Sequence, residues 1–191
     1  ILDSTTIDAN PNGGLIINSG TANVTNSTFS GNAGFGGINV GSLGELNITN
    51  STIAFNQSAA IFAAGGSTVT VGNTILSNSQ NAAMQSIADV VGTFTSMGNN
   101  IVQNAGAESG FSAPMGDQVG MDPLLLSLAN NGGANPTHAL QLSGPASPAI
   151  DAGDPSSPKD PDGTRADIGA YPYDHNRVLF SKDKTTLIKF P

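Results

Sequence analysis

Beyond its serines and threonines, this chain of 191 residues offers six basic residues, fourteen acidic residues, two histidines and no cysteine for chemistry. The six cations, Lys159, Arg165, Arg177, Lys182, Lys184 and Lys189, all fall in the last 33 positions, so residues 1–158 carry nine carboxylates and no basic side chain. Binding nucleic acid requires Lys or Arg to neutralise phosphates, which sets that class aside. The same charge balance disfavours anionic polysaccharides and anionic membrane surfaces. Eliminative cleavage of a uronate needs a basic proton acceptor and a cation beside the carboxylate, and residues 1–158 hold neither. Glycoside hydrolysis needs two carboxyls about 5–9 Å apart. Before residue 105 the candidates are Asp3, Asp8, Glu45 and Asp89, of which only Asp3 and Asp8 are close enough in sequence to share one turn of structure. The absence of cysteine removes disulfides and thiolate chemistry. Neither His138 nor His175 lies near a nucleophile elbow, and His138 reads as a loop histidine with a local hydrogen bond. Gly31–Gly37 lacks the lysine of a P-loop and the spacing of a dinucleotide fingerprint. No catalytic residue is assigned, and the chain reads as a non-enzyme.

The elements that position these groups come from a repeat. Gly13-Gly14-Leu15, Gly36-Gly37-Ile38, Ala59-Ala60-Ile61 and Ala82-Ala83-Met84 recur at a step of 23 residues. A second column runs through Ile7, Phe29, Ile53 and Ile75, each preceded by a threonine and followed three residues later by Asn10, Asn32, Asn56 or Asn78. Apolar and small polar residues alternate, as at Leu15/Ile17 and Ile38/Val40, which is strand periodicity. A fixed period of this length marks a solenoid, and the missing leucine ladder argues against leucine-rich repeats. The reading is an all-β, single-stranded parallel β-helix over residues 1–104, four to five coils long. Leu15, Ile38, Ile61 and Met84 are expected to stack inside it, with Phe29, Ile53 and Ile75 in a second internal column.

Asparagines at equivalent corners can hydrogen-bond their own copies one coil away, about 4.8 Å distant. Asn23, Asn26, Asn47, Asn50 and Asn56 also lie in Asn-x-Ser/Thr sequons, but the corner chemistry accounts for them without glycosylation. The pattern is already in phase at Ser4-Thr5-Thr6-Ile7, so the expectation is a processed or excised piece with further coils upstream. No segment reaches the roughly 18 consecutive apolar residues of a membrane span, which argues against direct membrane insertion.

After Asn104 the composition changes. A Gly/Ala/Ser-rich stretch leads into Asp122-Pro-Leu-Leu125, Asn131-Gly-Gly-Ala-Asn-Pro-Thr-His-Ala-Leu140, Ser147-Pro-Ala-Ile-Asp-Ala-Gly153 and Asp167-Ile-Gly-Ala-Tyr171. This succession resembles the C-terminal end of bacterial surface β-helix proteins of the choice-of-anchor Q kind, over roughly residues 13–174. The resemblance implies a right-handed parallel β-helix ending in an irregular cap, here residues 105–175, on a secreted or surface-displayed bacterial protein. It implies no reaction. Pro172 stands where that family's usual acidic residue would be, and Pro161-Asp-Gly-Thr replaces its common Gln-Arg-Gly. The apolar residues Leu124–Leu128, Leu140, Leu142 and Ile150 are expected to cover the open end of the coil, with prolines preventing further strand pairing.

Within the cap, Asp160, Asp162, Thr164 and Asp167 resemble the Asp-x-Asp-Gly core of calcium loops, with Asp151 or Asp154 available to complete the shell. The alternative is a plain surface loop held by an Arg165–Asp pair. Residues 176–191 read as a β-hairpin tail, similar to the hairpin that opens leucine-rich repeats in some bacterial surface proteins, or as the start of a following module. Alternatively, Leu187 and Phe190 serve assembly, pairing with an exposed edge on a neighbouring copy. The sequence-level conclusion is an extracellular or cell-surface structural or adhesive protein, self-assembling through its open coil or joined to adjoining surface domains, with carbohydrate as a further partner. The competing conclusion is the C-terminal portion of a polysaccharide-degrading enzyme whose active site lies on upstream coils.

Overall fold

The computed structural model describes residues 1–106 and 110–170 fully, together with the backbone of two short strands at 178–180 and 187–189. The chain winds as a parallel β-helix with three faces. Strands β1 (Leu2–Asp3) and β2 (Thr6–Asp8) begin it, followed by β3 (Leu15–Thr25), β4 (Thr28–Ser30), β5 (Ile38–Thr49) and β6 (Thr52–Ala54). The next coils are β7 (Ile61–Ala63), β8 (Thr68–Gly72) and β9 (Ile75–Ser77), then β10 (Val90–Val91), β11 (Thr95–Gly98) and β12 (Ile101–Val102). The last strand of the coil, β13 (Gln118–Val119), lies beyond the change of composition at residue 104 and continues the third face, β2-β4-β6-β9-β12-β13. Strands β3 and β5 are long because each runs along one face, bends, and continues along the next. A pairing shift between Ile17 and Ser19 marks that bend.

Inside, Val24, Ile48 and Val71 form one column and Phe29, Ile53 and Leu76 another, all buried. The small pair of each repeat has a steric cause. A Cβ on Gly37 would come 2.4 Å from Ile53 Cγ2 and 2.5 Å from the Ala60 carbonyl oxygen, so the chain is admitted there only without a side chain.

Two apolar positions differ from the repeat as read from sequence. Thr52 pairs with Ile75 and Ile53 with Leu76, so Leu76 occupies the inner column, and Ile75 is buried on the outside of the third face. Met84 does not stack on Ile61. It is 69 % exposed in a turn at positive φ, and Val90 takes the place beside Ile61. The cause is an excursion between β9 and β10, closed by the Gln80–Ser86 bridge, that displaces the fourth copy of the motif outward.

The corners are held by side-chain ladders. The backbone N–H of Asn10 donates to Asn32 Oδ1 (3.1 Å) and that of Asn32 to Asn56 Oδ1 (2.9 Å), while the amide NH2 groups of Asn10 and Asn32 donate along the same column. Asn78 is not the next member, since Ser77 pairs with Ala54 and the fourth place falls to Ser79. The N–H of Ser79 instead donates to Asp89 Oδ1 (2.9 Å), and the N–H of Asn104 to Asp89 Oδ2 (2.7 Å). A second ladder runs from Thr5 N–H to Ser27 Oγ, Ser27 N–H to Ser51 Oγ, Ser51 N–H to Thr74 Oγ1, Thr74 N–H to Asn100 Oδ1 and Asn100 N–H to Asp117 Oδ1. The second ladder therefore ends on a buried carboxylate, a group with only acceptors to offer, whereas the asparagine ladder stops at Asn56, since the Ser79 hydroxyl at the next place is buried without a hydrogen-bond partner. Burial pushes the Asp89 carboxyl above its ordinary value, against the two backbone N–H groups that lower it.

Since Ile53 lies fully buried between Phe29 and Leu76, Ile53→Asp should abolish cooperative folding of the adjoining coils as well, because stability is shared between neighbouring repeats. Leu76→Ala is expected to cost about 2–5 kcal/mol, and Met84→Ala less than about 0.5 kcal/mol. Denaturant titrations of the three variants check the order, and a Met84 variant as damaged as the Leu76 variant would contradict the register described.

Candidate functional site along the flank of the coil

The C-terminal segment does not lie over the end of the coil. Phe94 and Phe111, with ring centroids 5.7 Å apart, join the main core at that end. A 3-10 turn (Ala113–Met115) and β13 follow. The segment from Leu125 onward lies instead against the outer side of the third face. The reason is legible in the outward positions of that face: Ile75 and Ile101 present apolar side chains, and Leu140, Ala149 and Ile168 bury them, with Leu125, Leu142 and Ile150 alongside. The antiparallel hairpin of β14 (Leu125–Ala129) and β15 (Thr137–Leu140) carries the segment back to the coil of β1 and β2. There Thr6 Oγ1 donates to the Pro136 carbonyl (2.6 Å), and the Asn135 side chain donates to the Ser4 carbonyl. Further contacts are Gln118 Nε2 to the Pro148 carbonyl (3.0 Å) and Ala170 N–H to Thr52 Oγ1 (3.1 Å).

Two concavities open along this seam. The first, about 300 Å3, has Asn26, Asn50 and Asn73 on one side and Ser157, Pro158, Asp160 and Asp167 on the other. The three asparagines repeat at positive φ, the conformation this residue tolerates best after glycine. Asn73 donates to Asn50 Oδ1 (2.9 Å), and Asn26 donates to Asp3 Oδ1 (3.0 Å). Hydrogen bonds from Thr25 and Asn26 hold the Asp3 carboxyl below its ordinary value.

The four residues with calcium-loop spacing occupy one loop, where their carboxylates serve the backbone. Asp160 Oδ2 accepts from the Asp167 N–H (2.9 Å), Asp162 Oδ1 from the Thr164 N–H and hydroxyl (2.9 and 2.7 Å), and Asp167 Oδ1 from the Asp151 N–H (2.8 Å). Arg165 Nε donates to the Gly153 carbonyl (2.6 Å). Among the described residues no three His, Cys, Asp or Glu side chains are grouped to hold a metal ion. Of the assembly residues, Leu187 begins β17 (Leu187–Lys189), which pairs antiparallel with β16 (Val178–Phe180). Phe190 lies outside the described residues.

The second concavity, about 390 Å3, is lined by Ser30, Phe55, Leu125, Ser127, Leu128 and His138. His138 lies on β15, and its hydrogen bonds are not local: Nε2 is 2.9 Å from Ser30 Oγ, 108 residues away, and Nδ1 is 2.7 Å from the Leu126 carbonyl. A carbonyl only accepts, so Nδ1 carries the proton, and neutral His138 offers Nε2 as acceptor to the Ser30 hydroxyl. Burial pushes the His138 pKa below its ordinary value, opposed by the bond to Leu126. The Phe55 ring packs on the imidazole at 5.0 Å. Sequence reasoning missed this pair because nothing in the spacing links residue 30 to residue 138; the one local sign is that Ser30 occupies an outward strand position.

Burial raises the Asp160 carboxyl to about 6, and the nearby carboxylates of Asp162 and Asp151 push in the same direction. The folded state then binds a proton that the unfolded chain, with an ordinary Asp, has released, so this contribution to stability is complete below about pH 4 and is lost as pH rises through about 6. Asp160→Asn keeps an acceptor for the Asp167 N–H and removes the charge. It should melt higher than the parent at pH 7.5 and lose that advantage near pH 4, as thermal melts across this range will show.

No curated protein and no solved structure matches the chain. A family model does, over residues 1–115, and it is described as the right handed beta helix region. With the parallel three-faced coil in view, the chain belongs to the right-handed β-helix family.

Proposed function

We propose that this chain is a structural and adhesive segment of a secreted or surface-displayed bacterial protein, acting through its lateral faces and through contacts with further copies or adjoining surface domains. The observation that carries this reading is the second face, made by the later parts of β3 and β5 with β8 and β11. There Thr21, Glu45 and Thr68 form one outward column and Asn23, Asn47, Thr70 and Thr95 the next, at the spacing of parallel strands. Such a flat, polar, regularly spaced surface suits repeated weak contacts with a neutral polysaccharide or another protein better than it suits enclosing one small substrate. The choice-of-anchor Q resemblance of residues 122–171 supports the surface location, and the lack of basic side chains before Lys159 supports a neutral partner.

Pectin, alginate and neutral glycans incubated with the purified chain should give neither new reducing ends nor unsaturated products, while insoluble neutral glycans should retain it. Reproducible cleavage that disappears in Asp3→Asn or Asp8→Asn would overturn the reading in favour of an enzyme. Sedimentation with and without residues 176–191 tests the assembly component. Association that weakens on deletion is expected, and a monomer unaffected by deletion would remove it.

A further inference from the structure

We propose that Ser30 and His138 form an acyl-transfer pair that accepts the acyl group of small carboxylic esters in the cavity beneath the β14–β15 hairpin, an activity beyond the structural role proposed above. The geometry is that of an activated nucleophile. Ser30 Oγ stands 2.9 Å from His138 Nε2, and the opposite ring nitrogen is fixed by the Leu126 carbonyl at 2.7 Å. That third group sets the tautomer which leaves Nε2 free to take a proton, the role of the orienting partner wherever a hydroxyl is activated by an imidazole.

Two further observations point to this cavity. Its volume, about 390 Å3, falls within the range of small-molecule sites, and Phe55, Leu125 and Leu128 give it apolar walls suited to a short hydrocarbon acyl chain. Phe55 takes the left-handed corner conformation that Ala9, Gly31 and Asn78 share at the same place in their coils, and there its ring rests on the imidazole with centroids 5.0 Å apart.

The step is balanced within the pair and the ester. Ser30 Oγ attacks the ester carbonyl carbon while His138 Nε2 takes the hydroxyl proton, the ester C–O bond breaks, and His138 returns the proton to the departing alkoxide. Water, deprotonated by the same nitrogen, then cleaves the acyl-serine to carboxylate and free Ser30.

The test uses the full chain with a fluorophosphonate probe and p-nitrophenyl butyrate. One covalent adduct per chain is expected, located on Ser30 by peptide mass spectrometry, with a burst of about one p-nitrophenolate per chain. The labelling rate should level off above about pH 7, because neutral imidazole and not hydroxide removes the proton. Ser30→Ala should abolish adduct and burst, His138→Ala should slow labelling about hundredfold or more, and Ser112→Ala should leave both unchanged. Because the adduct is mapped on the unmodified chain, the result holds even where a variant fails to fold. No adduct at Ser30, labelling spread equally over other serines, or a rate that climbs tenfold per pH unit without a plateau would overturn the proposal.

Discussion

The backbone N–H at each corner of the coil is the group on which the rest of the structure depends. Along the faces, strands satisfy one another; at the corners the chain turns, and a buried N–H there has no strand partner. Some corner N–H groups reach a backbone carbonyl of the next coil, as Asn26 does at Thr49, and the others donate to a side-chain oxygen one coil further on: Asn32 and Asn56 in one ladder, Ser27, Ser51, Thr74 and Asn100 in the other. The ladders are directional, with N–H on the earlier coil and acceptor on the later. A directional chain of this kind needs a terminator that accepts without having to donate, and the ladder through Asn100 closes on one, Asp117. Buried Asp117 is thereby explained as the end of a hydrogen-bond chain and buried Asp89 as the acceptor of the Ser79 and Asn104 N–H groups, and the small polar composition of the repeats follows from the same need for corner acceptors.

How much of this was legible in the sequence depends on whether the physics is local. The Asn10–Asn32–Asn56 ladder and the Phe29–Ile53 column repeat with nearly unchanged neighbours, so spacing alone identifies them. The pattern misleads where a coil changes its job. Ile75 looks like the next internal residue because it is apolar, yet it faces outward, and its apolar character serves the segment that lies on it. Met84 keeps the step of 23 while the excursion between β9 and β10 removes it from the core. The resemblance of the later blocks gave a cap, but not its position. That position is set by pairings more than 100 residues apart, such as Ser30 with His138 and Ser4 with Asn135, which no local period encodes.

Placing the segment on the flank alters the energetics of the stack. In a bare solenoid each coil touches only its neighbours, and opening can start at either end. Here the hairpin reaches Thr6, the following turns reach Thr52 and Asn73, and Gln118 is tied to Pro148. Coils that never touch are joined through a shared third body. Fraying of the coil of β1 and β2 therefore carries the loss of the contacts made by Asn135 and Pro136, and the chain gains cooperativity between distant repeats that ladder bonds alone do not supply.

The same contacts constrain how such a chain can change length over generations. Solenoids grow by duplicating a repeat, and each added coil lengthens the stack by about 4.8 Å. A segment fastened near Ser4 at one end and Gln118 at the other behaves as a gauge laid beside the stack. A coil inserted between those points would carry Ser30 away from His138 and Thr6 away from Pro136 unless the segment lengthened in step. Growth by simple duplication is thus free outside the fastened span and penalised within it, so the number of coils between Ser4 and Gln118 is expected to be conserved where lengths elsewhere vary.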